Sequence, residues 1–494
     1  MSITKKQNIF SDDFNKNLKH IKGQFSNCCD IEYRYFKISQ NLKKDACIIF
    51  VNGMVDSIFM TQSVIEPLIN CEIEKAYNKE ILKNIYESLI GVSNITTEKN
   101  VETSIIEILS GNACIIMENE SKALIISTVG WQERKVEESQ AETVVKGMRA
   151  GFIENIRVNG SLLRRMIKSH RLKFEKITIG RLTNTEINIV YIEGIVKDNL
   201  LGNVKERINK IDIDGIFTIG TLQELIEDSV FSVFNSTFST ERPDRVCSNL
   251  LEGRIAVIMD NSPSVIIAPT NIGMFLQSTE DYNSKYLVAS FSRVLRFISI
   301  NVNLLLPGLY VSVFSFHNEM IPTELLKTVA QAREHLPFPI FVEMIILEFA
   351  FEILREAGVR LPRPAGQAVS IVGALVIGQA AVAANLVSPP SIIIVALTAI
   401  SSFTIPFTEA ANPYKILRFP VLIAAGMFGM TGVISVLMMI FLHIAYLKSF
   451  GIPYLSPISP FILSDWKDFL VRFPTQFIKL RPNQLAKSNK KRQK

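Results

Sequence analysis

Glu343, Glu348, Glu352, Arg355 and Glu356 are the residues best placed to do chemistry, and they fall in a stretch, 338–357, that is otherwise apolar. Ionised groups in hydrocarbon are costly, so they face a bundle interior, a partner charge or water. Glu352 and Arg355 stand three residues apart, on one face of a helix, and can pair. The same residues also suit an amphipathic helix lying at a membrane interface with its carboxylates among the headgroups. The sequence weighs the two arrangements equally.

Other chemistry is sparse. The five histidines (His20, His170, His317, His335, His443) have no metal-ligand spacing. There is no glycine-rich phosphate loop after a strand and no HExxH. Asp56, in Gly53-Met54-Val55-Asp56, reads as a turn or cap aspartate rather than a catalytic group. Cys28, Cys29, Cys47, Cys71, Cys114 and Cys247 form no CxxC and read as reduced intracellular thiols. No catalytic, cofactor-binding or metal-ligating residue is assigned, and the chain is not read as an enzyme.

The elements that must position the acidic stretch divide the chain. An α/β soluble N-terminal region of two similar subdomains is followed by an all-α multi-span membrane domain. The expected boundaries are a basic, polar N-terminal extension 1–40, subdomains 41–145 and 146–280, a membrane domain 286–450 of four to six spans, and a basic cytoplasmic tail 451–494. The duplication rests on two matched blocks. Ile48-Ile-Phe-Val-Asn-Gly-Met-Val-Asp56 resembles Ile189-Val-Tyr-Ile-Glu-Gly-Ile-Val-Lys197, and Leu109-Ser-Gly-Asn-Ala-Cys-Ile-Ile-Met-Glu-Asn resembles Leu251-Glu-Gly-Arg-Ile-Ala-Val-Ile-Met-Asp-Asn. Each copy reads as a strand ending at a Gly turn, then helices, then a β-hairpin. The N-terminus has no apolar run of the kind a secretory signal needs, so the soluble part is expected on the cytoplasmic side.

A bilayer core of about 30 Å needs roughly 20 apolar residues per helix. Candidates are 288–316, 338–357, 366–387, 389–411 and 418–447. Arg293 and Arg296 at the start of the first suit a cytoplasmic entry. In the third, Gly366, Ser370, Ala374 and Gly378 recur every four residues, a small-residue ridge that lets another helix approach closely. Val372, Val376 and Gln379 lie on roughly the opposite face, and a ring of such residues around an oligomer axis can gate a pore by dewetting. An ordinary buried helix has the same appearance. Five spans with the N-terminus inside would put the basic tail (Lys479, Arg481, Lys487, Lys490, Lys491, Arg492, Lys494) outside, against the positive-inside tendency. Both termini inside is the expectation, with one segment either re-entering or not spanning. Beside a membrane the basic tail reads as lipid-facing rather than as a nucleic-acid patch.

Phe316-His-Asn-Glu-Met-Ile-Pro-Thr-Glu-Leu-Leu, Pro337-Phe-Pro and the run from Phe349 through Arg355-Glu-Ala-Gly-Val-Arg-Leu-Pro-Arg-Pro-Ala-Gly-Gln to Val382 resemble the A subunit of the GerA-type spore germinant receptors. Ser401-Ser-Phe-Thr-Ile-Pro406, Lys210-Ile-Asp-Ile-Asp-Gly215, Leu225-Ile-Glu-Asp228, Glu241-Arg-Pro-Asp244 and Leu250-Leu-Glu-Gly-Arg254 fit the same family. A related sporulation membrane protein, the stage V AF type, shares the architecture. The resemblance implies residence in the inner membrane of a dormant spore. It also implies a complex with a transporter-like B subunit and a lipoprotein C subunit, and self-assembly into a cation channel that starts germination. A secondary transporter and a non-conducting scaffold are the competing readings. A transporter would show inverted membrane repeats, whereas the repeat here is in the soluble half.

Overall fold

The computed structural model describes residues 9–41, 43–71, 95–130, 142, 147–360, 378–486 and 489–493. They form two compact units. The first comprises residues 1–227, 237–269 and 479–494, and the second residues 228–236 and 270–478.

The first unit holds the duplication. Its first copy runs α1 (Phe14–Gln24), β1 (Ile31–Ile38), β2 (Lys44–Val51), a helical stretch 57–70, β3 (Ile95–Glu98), α2 (Val101–Leu109), β4 (Ala113–Met117) and β5 (Ala123–Ile126). The second runs α3 (Ile156–Met166), β6 (Leu172–Ile179), β7 (Thr185–Ile192), α4 (Asp198–Asn209), α5 (Ile219–Ile226), β8 (Phe238–Thr240), α6 (Pro243–Glu252), β9 (Ile255–Met259) and β10 (Val265–Ala268). The two sheets have the same strand order, β1-β2-β4-β5-β3 and β6-β7-β9-β10-β8, and every pairing is antiparallel. The turns repeat as well. Gly53 and Gly194 have φ of 82° and 79°, and Asn119 and Asn261 have φ of 60° and 62°.

The central strands read as unbroken apolar runs because both faces of each sheet are covered. Side chains alternate across a strand. In the first copy Ile48, Phe50, Ile115 and Leu124 meet Met60, Val64 and Leu68 of the 57–70 stretch on one face. Cys47, Ile49, Cys114 and Ile116 meet Ile21 of α1, its C-cap Phe25, and Ile105 and Leu109 of α2 on the other.

The second unit is built on α7 (Tyr286–Phe316), α8 (Ile340–Arg360), α9 (Pro389–Phe403) and α10 (Thr408–Tyr446). Helix α7 is long and apolar enough to cross a bilayer, and α10 is apolar along most of its length. Leu304, Tyr310, Met344, Leu347, Val395, Val421, Leu422 and Val433 share its core. Close approach uses glycine. A Cβ on Gly308 would lie 2.8 Å from Val421, and one on Gly426 only 2.3 Å from Phe341.

Helix α10 is not straight. Gly429 has φ 60° and ψ −139°, which only glycine adopts readily. A Cβ on Gly432 would come within 2.1 Å of the Ala424 carbonyl oxygen, and the Phe234 ring lies 5.9 Å from Tyr414 and 6.2 Å from His443. A straight helix would hold Tyr414 and His443 roughly 40 Å apart at 1.5 Å per residue. Residues 408–428 and 430–446 are therefore two antiparallel arms folded at Gly429. The tip of the fold lies against the end of α7, where the Met430 N–H donates to His317 Nε2 at 3.4 Å. The sequence-based span 418–447 is thus corrected to a hairpin beginning at Thr408, and the span 389–411 to a helix ending at Phe403.

Candidate functional site: buried carboxylates of the helical unit

Helix α8 carries two buried acidic stations. Glu343, at 1% exposure, is in the first turn of α8. It pairs with Arg333 and accepts from the backbone N–H of Ser388. Ser388 is the N-cap of α9, so the carboxylate sits at the positive end of that helix. Ser388 Oγ also donates to Glu343 Oε1 at 2.7 Å. Its hydroxyl lies 2.9 Å from Ser391 Oγ, which donates to Tyr310 of α7 at 3.3 Å. One acidic side chain therefore ties together α7, α8 and α9.

The second station lies lower on α8. Glu348, Glu352 and Arg355 are at i, i+4 and i+7, one helical face. Arg418, from the first arm of α10, enters between them. Its Nη2 donates to Glu352 Oε1 at 2.8 Å and stands 3.1 Å from Glu348 Oε2. Arg418 and Glu348 are each 1% exposed at the side chain. Arg355 approaches Glu352 at 3.7 Å, the pairing expected from spacing, as a looser outer contact. Neither oxygen of Glu348 has an aligned hydrogen-bond partner. The carboxylate is held by charge alone, which in a low-dielectric interior is strong attraction set against a large desolvation cost.

Glu343 and Glu348 are buried inside the helical unit, Glu352 is half-buried and Glu356 is exposed. Sequence reasoning missed Arg418, Arg333, Ser388, Ser391 and Tyr310. A signal existed for Arg418, a lone cation in the apolar run Ile416-Leu417-Arg418-Phe419. Of the other expected positions, Gly366, Ser370, Ala374, Val372 and Val376 lie outside the described residues. Gly378 faces α9, its Cβ position 3.7 Å from Ile392, whereas Gln379 is exposed.

The arginines at the start of α7 are held by acids. Arg293 is fully buried and donates to Asp281 at 3.0 Å and to Asp468 at 2.9 Å, and Arg296 donates twice to Asp281 at 2.8 Å. In the first unit Asp56 is a helix cap, accepting from the N–H groups of Ile58 and Phe59 at 3.0 Å. Burial pushes the Cys47 and Cys247 thiols up to about 12, far from a ready nucleophile. Among the described residues no group of three or more His, Cys, Asp or Glu is arranged to hold a metal ion. The helical unit presents buried, compensated charge in an apolar bundle, an arrangement that can hold or release an ion pair as helices shift.

The family model described as Bacillus/Clostridium GerA spore germination protein matches residues 19–484. Spore germination protein KA of Bacillus subtilis (strain 168) is 42% identical over 485 residues, covering 98% of this chain and 89% of that one. Spore germination protein GerLA of Bacillus cereus is 34% identical, covering 95% of this chain and 94% of its own length. Among solved structures, the N-terminal domain of the A subunit of the Bacillus megaterium spore germinant receptor GerK3 is 30% identical. That match covers 53% of this chain and 96% of the other, with a TM-score of 0.42.

Proposed function

This chain belongs to the Bacillus/Clostridium GerA spore germination protein family, and we propose that it is the membrane subunit of a spore germinant receptor, assembling with copies of itself into a cation channel opened by germinant. The observation that carries the reading is the buried Arg418–Glu348–Glu352 cluster. Ionised groups kept inside an apolar bundle mark ion pathways or switching elements. Segment 366–387 lines the path, with Val372 and Val376 as the constriction, Gln379 as polar lining, and Gly366, Ser370, Ala374 and Gly378 as the packing ridge. The receptor's transporter-like B subunit and lipoprotein C subunit are the partners, and the inner spore membrane is the site, with the duplicated unit on the cytoplasmic side. The reversal at Gly429 supports this topology. It folds the last candidate span into two arms, so that the chain leaves α10 on the side of the bundle from which its first arm starts.

Potassium efflux from liposomes holding the purified chain, wild type against Val376→Ala, tests the channel. Flux that rises in the variant supports the reading. Absence of flux from folded, oligomeric protein, alone and with the B and C subunits, overturns it in favour of a non-conducting scaffold.

A further inference from the structure

Residues 456–478 contain Phe461, Leu463, Trp466, Phe469, Phe473 and Phe477 but no α-helix. We propose that this segment is an interfacial collar, laid in the headgroup layer of the bilayer at the base of α7. The inference rests on the membrane reading of the helical unit and adds to it a lipid contact outside the spans.

Polar bolts fix the segment to the first turns of α7. Asp468 accepts from Arg293 at 2.9 Å and from Tyr282 at 2.9 Å. Ser290 engages both backbone groups of Arg472, donating to its carbonyl at 3.2 Å and accepting from its N–H at 3.0 Å. Phe469 is buried, packed so closely on Gly273 that a Cβ there would lie 2.8 Å from its ring.

The same segment also exposes large apolar side chains. Phe461, Leu463 and Phe477 are 68%, 72% and 59% exposed. The segment meets α7 where Arg472 bonds Ser290. Ser290, bonded to Arg472, adjoins in sequence the exposed Phe291, one turn from the exposed Leu287, while Val471 and Phe473 flank Arg472 and are exposed too. Such a surface is unfavourable in water. Yet the segment cannot sink into hydrocarbon, because lipid-exposed backbone outside a helix or closed barrel leaves polar groups unsatisfied there. The layer that accepts apolar rings and irregular backbone together is the interface, where aromatic residues concentrate. The exposed Lys448 and Lys467 add charge suited to anionic headgroups.

Depth-dependent quenching tests the collar. The full chain, with Trp131→Phe and Trp466→Phe, carries Phe461→Trp as the probe, or Met438→Trp as a reference within the second arm of α10. Each is reconstituted in phosphatidylcholine–phosphatidylglycerol vesicles with bromines near the glycerol end or near the chain terminus. Phe461→Trp is expected to be quenched about twofold more strongly by the shallow bromines, as interfacial depth requires, with Met438→Trp quenched by the deep ones. A Phe461→Trp probe that neither lipid quenches, while Met438→Trp responds, overturns the collar and places the segment in water or under a protein partner. Quenching strongest from the deep bromines overturns it in favour of a buried segment. A silent Met438→Trp removes the membrane reading itself, and the collar with it.

Discussion

Arg164 and Asp30 stand 134 residues apart in sequence and meet through two hydrogen bonds, of 2.6 and 2.9 Å. The guanidinium is fully buried and stacked 4.7 Å from the Phe174 ring. Arg164 comes from the second repeat and Asp30 from the first, so this pair clasps the two copies. Backbone bonds reinforce it, from Cys29 to the Phe174 carbonyl and from Phe174 to that of Asn27, at 3.0 and 3.2 Å.

Removing one partner leaves a buried charge uncompensated. Asp30→Ala is therefore expected to cost about 3–5 kcal/mol, while Asp30→Ala with Arg164→Leu costs clearly less. Thermal unfolding of the three proteins measures this. An unchanged midpoint for Asp30→Ala would show that the clasp contributes nothing.

The same logic applies to Arg418. Arg418→Leu strands Glu348 and Glu352 and should destabilise the helical unit by about 3–5 kcal/mol. Adding Glu348→Gln and Glu352→Gln should recover part of that loss. The readout is the melting temperature in detergent, and a single variant as stable as wild type contradicts the assignment.

Gly429→Ala places a side chain where the backbone favours glycine and where its Cβ would lie 3.0 Å from Phe316. The expected cost is about 1–3 kcal/mol. Spin labels at the exposed Ile416 and Met439 test the hairpin directly. A folded-back α10 gives a distance well below the ~35 Å of a straight helix between those positions, and a value near that length refutes the reversal.

His170 supplies a pH signature. Burial, with Lys173 and Arg171 nearby, holds its pKa below the ordinary 6.5. The unfolded chain therefore takes up a proton that the folded one refuses, so the stability contribution is present above 6.5 and declines as pH falls through that value towards the lower folded one. His170→Gln should flatten the decline between those limits. Parallel melting curves for both proteins at stepped pH would disprove the role.

The duplication was legible because Gly53 and Gly194 punctuate matched apolar strands, and a turn that favours positive φ leaves a mark in sequence. Strands β1 and β6 were harder to see. Their alternation is diluted by charged positions such as Glu32, Arg34 and Lys176, and β3 and β8 are too short to carry a period. In the helical unit the acids of α8 stood out as charge in an apolar run. Their partners did not, because Arg418 and Ser388 are brought to them by packing between segments distant in sequence. The hairpin in α10 escaped for a related reason. Gly426, Gly429 and Gly432 share a spacing that equally describes a packing ridge, and only backbone dihedrals separate a ridge from a reversal.

Residues 479–494 belong to the first unit. Arg481 donates to the Leu251 carbonyl at 2.7 Å, Ala486 pairs with Val196, and the Leu485 carbonyl oxygen lies 3.1 Å from the Cβ position of Gly253. These residues leave the ribosome after every helix of the second unit. A chain that folds from its N-terminus as it is made therefore waits through the synthesis of the entire helical region with the surface around Val196 and Leu251 open. Closure of that surface is a late event in biogenesis, and a nascent chain stalled among the helices would carry the open seam as a sign that it is unfinished.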